Sequence, residues 1–313
     1  MRFVSAISSR PAKTLPTLAV TAVGLGLLLT GCGGNSSPSS SNATETIDVV
    51  AVTNVYGDIA AKIGGDQVKV TSIIANTSQD PHSYESTAQD KLAVSKAAVL
   101  IENGGGYDDF FSKLAEGQDR SKLIDVVDLS GLKTAANADE FNEHVWYSLP
   151  TISKLADELA KRFASIDAAH ANEFKDNAQK FKDSVSGIET ALAKLKTSSD
   201  GQPVAITEPV PLWMLQSAGL VNKTPEAYSH AIEEGSDVPP AVLKAATDLI
   251  SSKSVKFLAY NDQTEGPQTE ALKKAADSAG VPVVNFTETL PEGKDYLGWM
   301  QQNADNIAKA LAK

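Results

Sequence analysis

The chain of 313 residues contains a single cysteine, Cys32. That excludes a disulfide framework and any internal metal site built on cysteine, since each needs several thiols. Histidine is almost as scarce. Any site built on imidazole must draw on His82, His144, His170 or His230. No segment recurs with a period of 20–50 residues, so a repeat array is not indicated. A phosphate-cradling loop is missing too. Asn103-Gly104-Gly105-Gly106 has no Lys-Ser/Thr after it and reads as a tight turn. Positive charge is in deficit, with 28 Lys and Arg against 39 Asp and Glu and a formal net charge of −11. An acidic body speaks against nucleic acid as a partner. It gives a mild field favouring cations, although a solvated acidic surface explains most such balances.

What positive charge there is begins the chain. Arg2, Arg10 and Lys13 precede a largely apolar stretch, Leu15 to Leu29, and no acid lies within residues 1–31. This pattern predicts a secretory leader, too short and too poorly flanked for a stable membrane span. It ends in Leu29-Thr30-Gly31-Cys32, which resembles a bacterial lipobox. Cys32 is then expected to carry a lipid anchor that holds the chain on the outer face of the cell membrane. Residues 33–44 are Gly, Ser, Asn, Pro, Ala and Thr, with nothing to bury. They predict a flexible tether over 32–46 that reaches roughly 20 Å.

Roughly 280 residues remain, enough for two lobes. Short β-branched runs alternate with amphipathic stretches, the pattern of parallel α/β architecture. Strands are expected at Ile47–Thr53, Val68–Ala75, Ala98–Glu102 and Leu123–Leu129, and again at Pro203–Thr207, Val255–Tyr260 and Val281–Phe286. Helices fall between them, near 55–64, 85–96 and 107–116, then near 210–218, 239–252, 267–279 and 294–312. Phe174, Ala178, Phe181, Val185, Ile188, Leu192 and Leu195 form one apolar stripe at alternating four- and three-residue steps. That predicts a helix of about 28 residues, roughly 40 Å long. A coiled-coil dimer would use the same stripe. The flanking α/β units favour a single helix between an N-terminal lobe, 47–166, and a C-terminal lobe, 199–313, with 167–198 joining them.

Of the histidines, His82 follows a strand in Gln79-Asp80-Pro81-His82-Ser83-Tyr84-Glu85, and His144 precedes a helix in Asn142-Glu143-His144-Val145-Trp146-Tyr147. Strand ends are where ligand sites of α/β sheets gather. His170 and His230 lie in polar surroundings and read as solvated. Asp80-Pro81-His82-x-Tyr84-Glu85, His144-x-Trp146 before a helix, the long central helix and the closing α/β lobe together resemble the metal-receptor solute-binding proteins of zinc and manganese ABC importers. The likeness spans nearly the whole chain after the tether. One departure is Asn142-Glu143-His144, where that family usually has Asp-Pro-His.

The resemblance implies four metal ligands: His82, His144, Glu208 after the strand Val204–Thr207, and Glu288 in Phe286-Thr287-Glu288. Asp262 and Glu265 stand as alternatives to Glu288. Two imidazoles and two carboxylates suit Zn²⁺, Mn²⁺ or Fe²⁺, with Zn²⁺ or Mn²⁺ the expected cargo. Four tight ligands suit tetrahedral zinc, and bidentate carboxylates would shift the site toward manganese. No His-rich loop lies within Gly131–Glu143, which leans toward manganese and leaves the choice open. The implied partners are an ABC permease and its ATPase, and the expected state is a monomer.

Three other readings compete, one of them an adhesion or structural lipoprotein whose metal only stabilises the fold. A secreted metal-dependent hydrolase would need an open coordination position and a general base; Glu143-His144 lacks the flanking histidines of His-Glu-x-x-His, with Asn142 and Trp146 in their places. A lipoprotein for an organic solute or metal chelate would line its pocket with Tyr84, Trp146, Tyr147 and Trp213.

Overall fold

A computed structural model describes residues 46–79 and 81–313. The leader, Cys32, the tether and Asp80 lie outside the described residues.

β1 (Ile47–Thr53) is buried at six of its seven positions, as a strand covered on both faces should be. α1 (Asn54–Gly64) returns the chain to β2 (Val68–Ile74), which pairs parallel to β1 from Ile47↔Val68 onward. α2 (Ala88–Lys96) starts at a capping box in which Thr87 and Asp90 bond each other's backbone amides. β3 (Val99–Glu102), α3 (Asp109–Leu114) and β4 (Leu123–Asp125) complete a parallel sheet of order β2-β1-β3-β4. The strand expected at Leu123–Leu129 stops at Asp125. The Asp125 carboxylate accepts the Asp128 amide and caps a short helix, α4 (Val126–Ser130), so local capping overrides the apolar run.

Beyond α5 (Leu149–Ile166) runs α6 (Ala171–Ser199), 29 residues and about 44 Å long. Phe174, Ala178, Phe181, Val185, Ile188 and Leu192 are buried along it, and Leu195 is partly so. The stripe packs against α5, α1 and, toward the other lobe, α7 (Leu212–Ser217) and α11 (Tyr296–Leu311). The apolar seam is thus used within the chain.

The second half repeats the plan. β5 (Pro203–Ile206), β6 (Val221–Asn222), β7 (Leu258–Asn261) and β8 (Val283–Phe286) form a parallel sheet of order β6-β5-β7-β8. α8 (Glu226–Glu233), α9 (Pro240–Ser251) and α10 (Pro267–Ala279) complete the lobe. The two-residue β6 and the eight-residue α8 have no counterpart among the sequence expectations: β6 is too short to show a period, and α8 lies in the polar stretch around His230. β7 begins three residues later than expected. This is the anticipated α/β architecture of two lobes with parallel sheets joined by one long helix. In each sheet the first strand lies between the second and third, so the winding direction reverses there and loops at the strand C-termini diverge to leave a crevice. Among the described residues no helix is long and apolar enough to cross a membrane.

Candidate metal centre

The crevice is where the structure places the candidate ligands. His82 sits in a single 3-10 turn, Pro81–Ser83, beyond β2. His144 precedes another, Val145–Tyr147, whose Trp146 and Tyr147 side chains are in the core. Glu208 follows β5 and Glu288 follows β8. His144 is 1% exposed and the two glutamates 5% each, a degree of burial that carboxylates tolerate only with partners.

The donor atoms of His82, His144 and Glu288 lie within 4.8 Å of one another. His82 Nε2 is 4.0 Å from Glu288 Oε2, and the two imidazole centroids are 6.4 Å apart. Tyr107 packs edge-on against both rings and donates its hydroxyl to Glu288 Oε2 at 3.3 Å. Glu208 is outside this close trio but is tied to it through one amide. Asn261 Nδ2 donates to Glu208 Oε2 and, at 2.8 Å, to Glu288 Oε1. Asp262 and Glu265, the alternatives, are exposed and sit near Lys273, 3.5 Å from Glu265.

His144 is oriented from behind. Asn142 Oδ1 accepts from the His144 backbone amide at 3.2 Å and lies 2.7 Å from its Nδ1. Asn142 Nδ2 in turn donates to Pro209 O at 3.0 Å, which fixes which end of the amide is oxygen. Nδ1 of His144 therefore carries the proton and Nε2 is the basic nitrogen. Burial, and the nearby His82, push the His144 ring well below the ordinary histidine value, so it is neutral and able to ligate. Burial and Glu288 hold Tyr107 well above the usual phenol range, which keeps it a donor.

This arrangement, two imidazoles from one lobe facing two carboxylates from the other, was compared with known proteins. The family described as "ZnuA: Zinc-uptake complex component A periplasmic" matches residues 49–310. The chain belongs to that family. Among its relatives is the manganese-binding lipoprotein MntA of Bacillus subtilis, 31% identical over 159 residues, which are 50% of this chain and 51% of that protein. The chain thus aligns with about half the length of MntA. The manganese ABC transporter substrate-binding lipoprotein scaA of Streptococcus gordonii is 24% identical over 306 residues, covering 91% of this chain and 95% of its own. In fold, the chain is similar to FpvC of Pseudomonas aeruginosa, solved with Mn²⁺ (TM-score 0.69, 19% identity, 85% of this chain and 98% of that one). A crystal structure of ZnuA matches as well (TM-score 0.69, 18% identity, 85% and 99%).

Several residues at this candidate site were invisible in the sequence. Tyr107 and Asn261 are polar side chains whose roles depend on which strand ends become neighbours. The run Gly104-Gly105-Gly106, read as a tight turn, is one: all three have positive φ, and a Cβ on Gly104 would lie 2.4 Å from the Asp125 carboxylate. That turn delivers Tyr107 to the site.

A second gathering, Glu143, His144 and Glu233, lies beside the first, with Glu233 contributed by α8. Glu233 Oε1 is 3.8 Å from His144 Nδ1, fully buried and without a hydrogen-bond partner. Burial, then Glu143 and the other glutamates, push Glu233 up to about 8. Both glutamates face a cleft of about 920 Å³ that Glu140, Glu226, Glu234 and His230 also line. His230 is 60% exposed and 3.7 Å from Glu234, in keeping with its solvated reading. Trp146 and Tyr147 are buried, Tyr84 packs on Phe110, and Trp213 donates to Asn142 O, so the aromatic pocket of an organic-solute receptor does not form.

Proposed function

We propose that the chain is an extracytoplasmic receptor that captures a divalent transition-metal ion, zinc or manganese, and delivers it to an ABC importer. His82 and His144 from the first lobe and Glu208 and Glu288 from the second are the ligands. The observation that carries this reading is the close approach of His82, His144 and Glu288 between the lobes, with Glu208 joined to Glu288 through Asn261. Two carboxylates neutralise a divalent ion, and neutral imidazoles complete a nitrogen–oxygen set suited to Zn²⁺ or Mn²⁺. Because ligands come from both lobes, the ion favours one relative arrangement of them, and that arrangement is what a permease recognises.

The lobes are already bonded to each other. Tyr147 donates to Thr287 O at 2.7 Å, Tyr296 to Trp146 O at 2.6 Å, and Asn54 pairs with both backbone groups of Leu290. Such ties, with the stiff α6, support small rocking and loop ordering on loading in place of wide closure. In the same reading the protein is a monomeric receptor and not an enzyme. Residues 1–31 are its cleaved leader, and Cys32 carries the lipid that holds it at the outer membrane face. The permease and its ATPase are its partners.

The test is elemental analysis of protein purified without added metal, followed by competition between Zn²⁺ and Mn²⁺. His82→Ala should weaken binding at least tenfold, about 1.4 kcal/mol. An unchanged constant by calorimetry removes His82 from the site and the receptor assignment with it.

A further inference from the structure

The carboxylates of the site are not independent of each other. Asn261 closes β7, is 2% exposed, and directs one amide nitrogen at Glu208 Oε2, at Glu288 Oε1 and at Thr264 Oγ1, the last at 2.9 Å. Its Oδ1 accepts the Gln263 amide at 3.1 Å, and its own backbone amide donates to Thr207 Oγ1 at 2.9 Å. The side chain is therefore locked on both ends, and its nitrogen is the end that meets the carboxylates.

We propose that Asn261 is a specificity-determining positioning residue: it holds Glu208 and Glu288 each in one-oxygen coordination, so that the site selects a four-coordinate ion. The inference rests on the receptor reading above and narrows its cargo. One oxygen of each glutamate is committed to a charge-assisted hydrogen bond in a buried setting. For either carboxylate to offer both oxygens, the ion must share the bonded oxygen with Asn261 and compete with that bond for charge and direction, which disfavours two-oxygen coordination. Two imidazole nitrogens and one oxygen from each glutamate make four donors, the set tetrahedral Zn²⁺ prefers. An ion that seeks six oxygen-rich positions, such as Mn²⁺, is left short. Glu288 Oε2, on the side of Tyr107 and His82, is the oxygen turned toward the imidazoles.

The experiment loads the full chain with Co²⁺, whose visible bands are intense in four-coordinate and weak in six-coordinate sites. Wild type should give intense bands. Asn261→Ala should give weak bands and lower the Zn²⁺:Mn²⁺ preference by about tenfold or more. Weak bands in the wild type overturn the proposal whether or not the variant folds; so does an Asn261→Ala protein with unaltered bands and preference. Failure of wild type to bind Co²⁺, or equal binding by His82→Ala, is a different result: it takes the receptor reading first and this inference with it.

Discussion

Asn142 is the residue whose replacement tests the site most directly from outside the ligand set. Its side chain makes three hydrogen bonds: to the His144 ring at 2.7 Å, to the His144 amide at 3.2 Å and to Pro209 O at 3.0 Å. Asn142→Ala removes all three. At about 0.5–1.5 kcal/mol each, and with a buried ring N–H left unpaired, the metal-free protein should lose about 2–3 kcal/mol. In a chain of this size that lowers Tm by about 4–10 °C. The ring also loses what fixes its tautomer, so metal affinity should fall about 10–100-fold. Asn142→Asp separates the two effects. Its carboxylate still accepts both His144 bonds but cannot donate to Pro209, so it should keep affinity within about threefold of wild type while losing about 1 kcal/mol of stability. Competition against a chromophoric chelator reads the affinity, and thermal melting in excess chelator reads the stability. If Asn142→Asp loses as much affinity as Asn142→Ala, the bond across the lobes, and not the His144 tautomer, is what matters. If neither variant changes affinity, His144 is not a ligand.

Three further outcomes follow from the same geometry. Protons compete with the ion for ring nitrogens, so affinity should weaken as pH falls; burial lowers His144, so proton competition at that ring sets in further into the acid range than at a solvated one. A profile that stays flat from neutral pH down through the acid range would count against histidine ligation. Gly104→Ala puts a Cβ 2.4 Å from the Asp125 carboxylate at a φ of +76°, and should cost about 2 kcal/mol or more in denaturant melts; a neutral effect would mean the turn is looser than described. Phe181→Ala opens a cavity where α6 packs on Tyr296 of α11, and should cost about 3–5 kcal/mol. A loss below about 1 kcal/mol would argue that the long helix is not part of the core.

Composition, spacing and resemblance were enough for the architecture. Alternating β-branched and amphipathic runs repeat a local rule, and the stripe of α6 keeps its period from Phe174 to Leu195, so neither needed tertiary information. Elements too short to show a period, β6 and α4, escaped because a few residues cannot distinguish turn, strand and helix. The candidate ligands were legible only through motif resemblance, since nothing in spacing brings Glu288 to His82 across 206 positions of sequence. What only the folded chain decided is the setting of those ligands. Asn261 bridging two glutamates, Tyr107 against both rings and Glu233 beside His144 are contacts between residues far apart in the chain, and the local Asn142–His144 bond matters only because that loop is brought to the site. Such contacts are properties of how loops diverge at the reversal points of two parallel sheets. Short polar loop segments carry no periodic trace of that in one dimension.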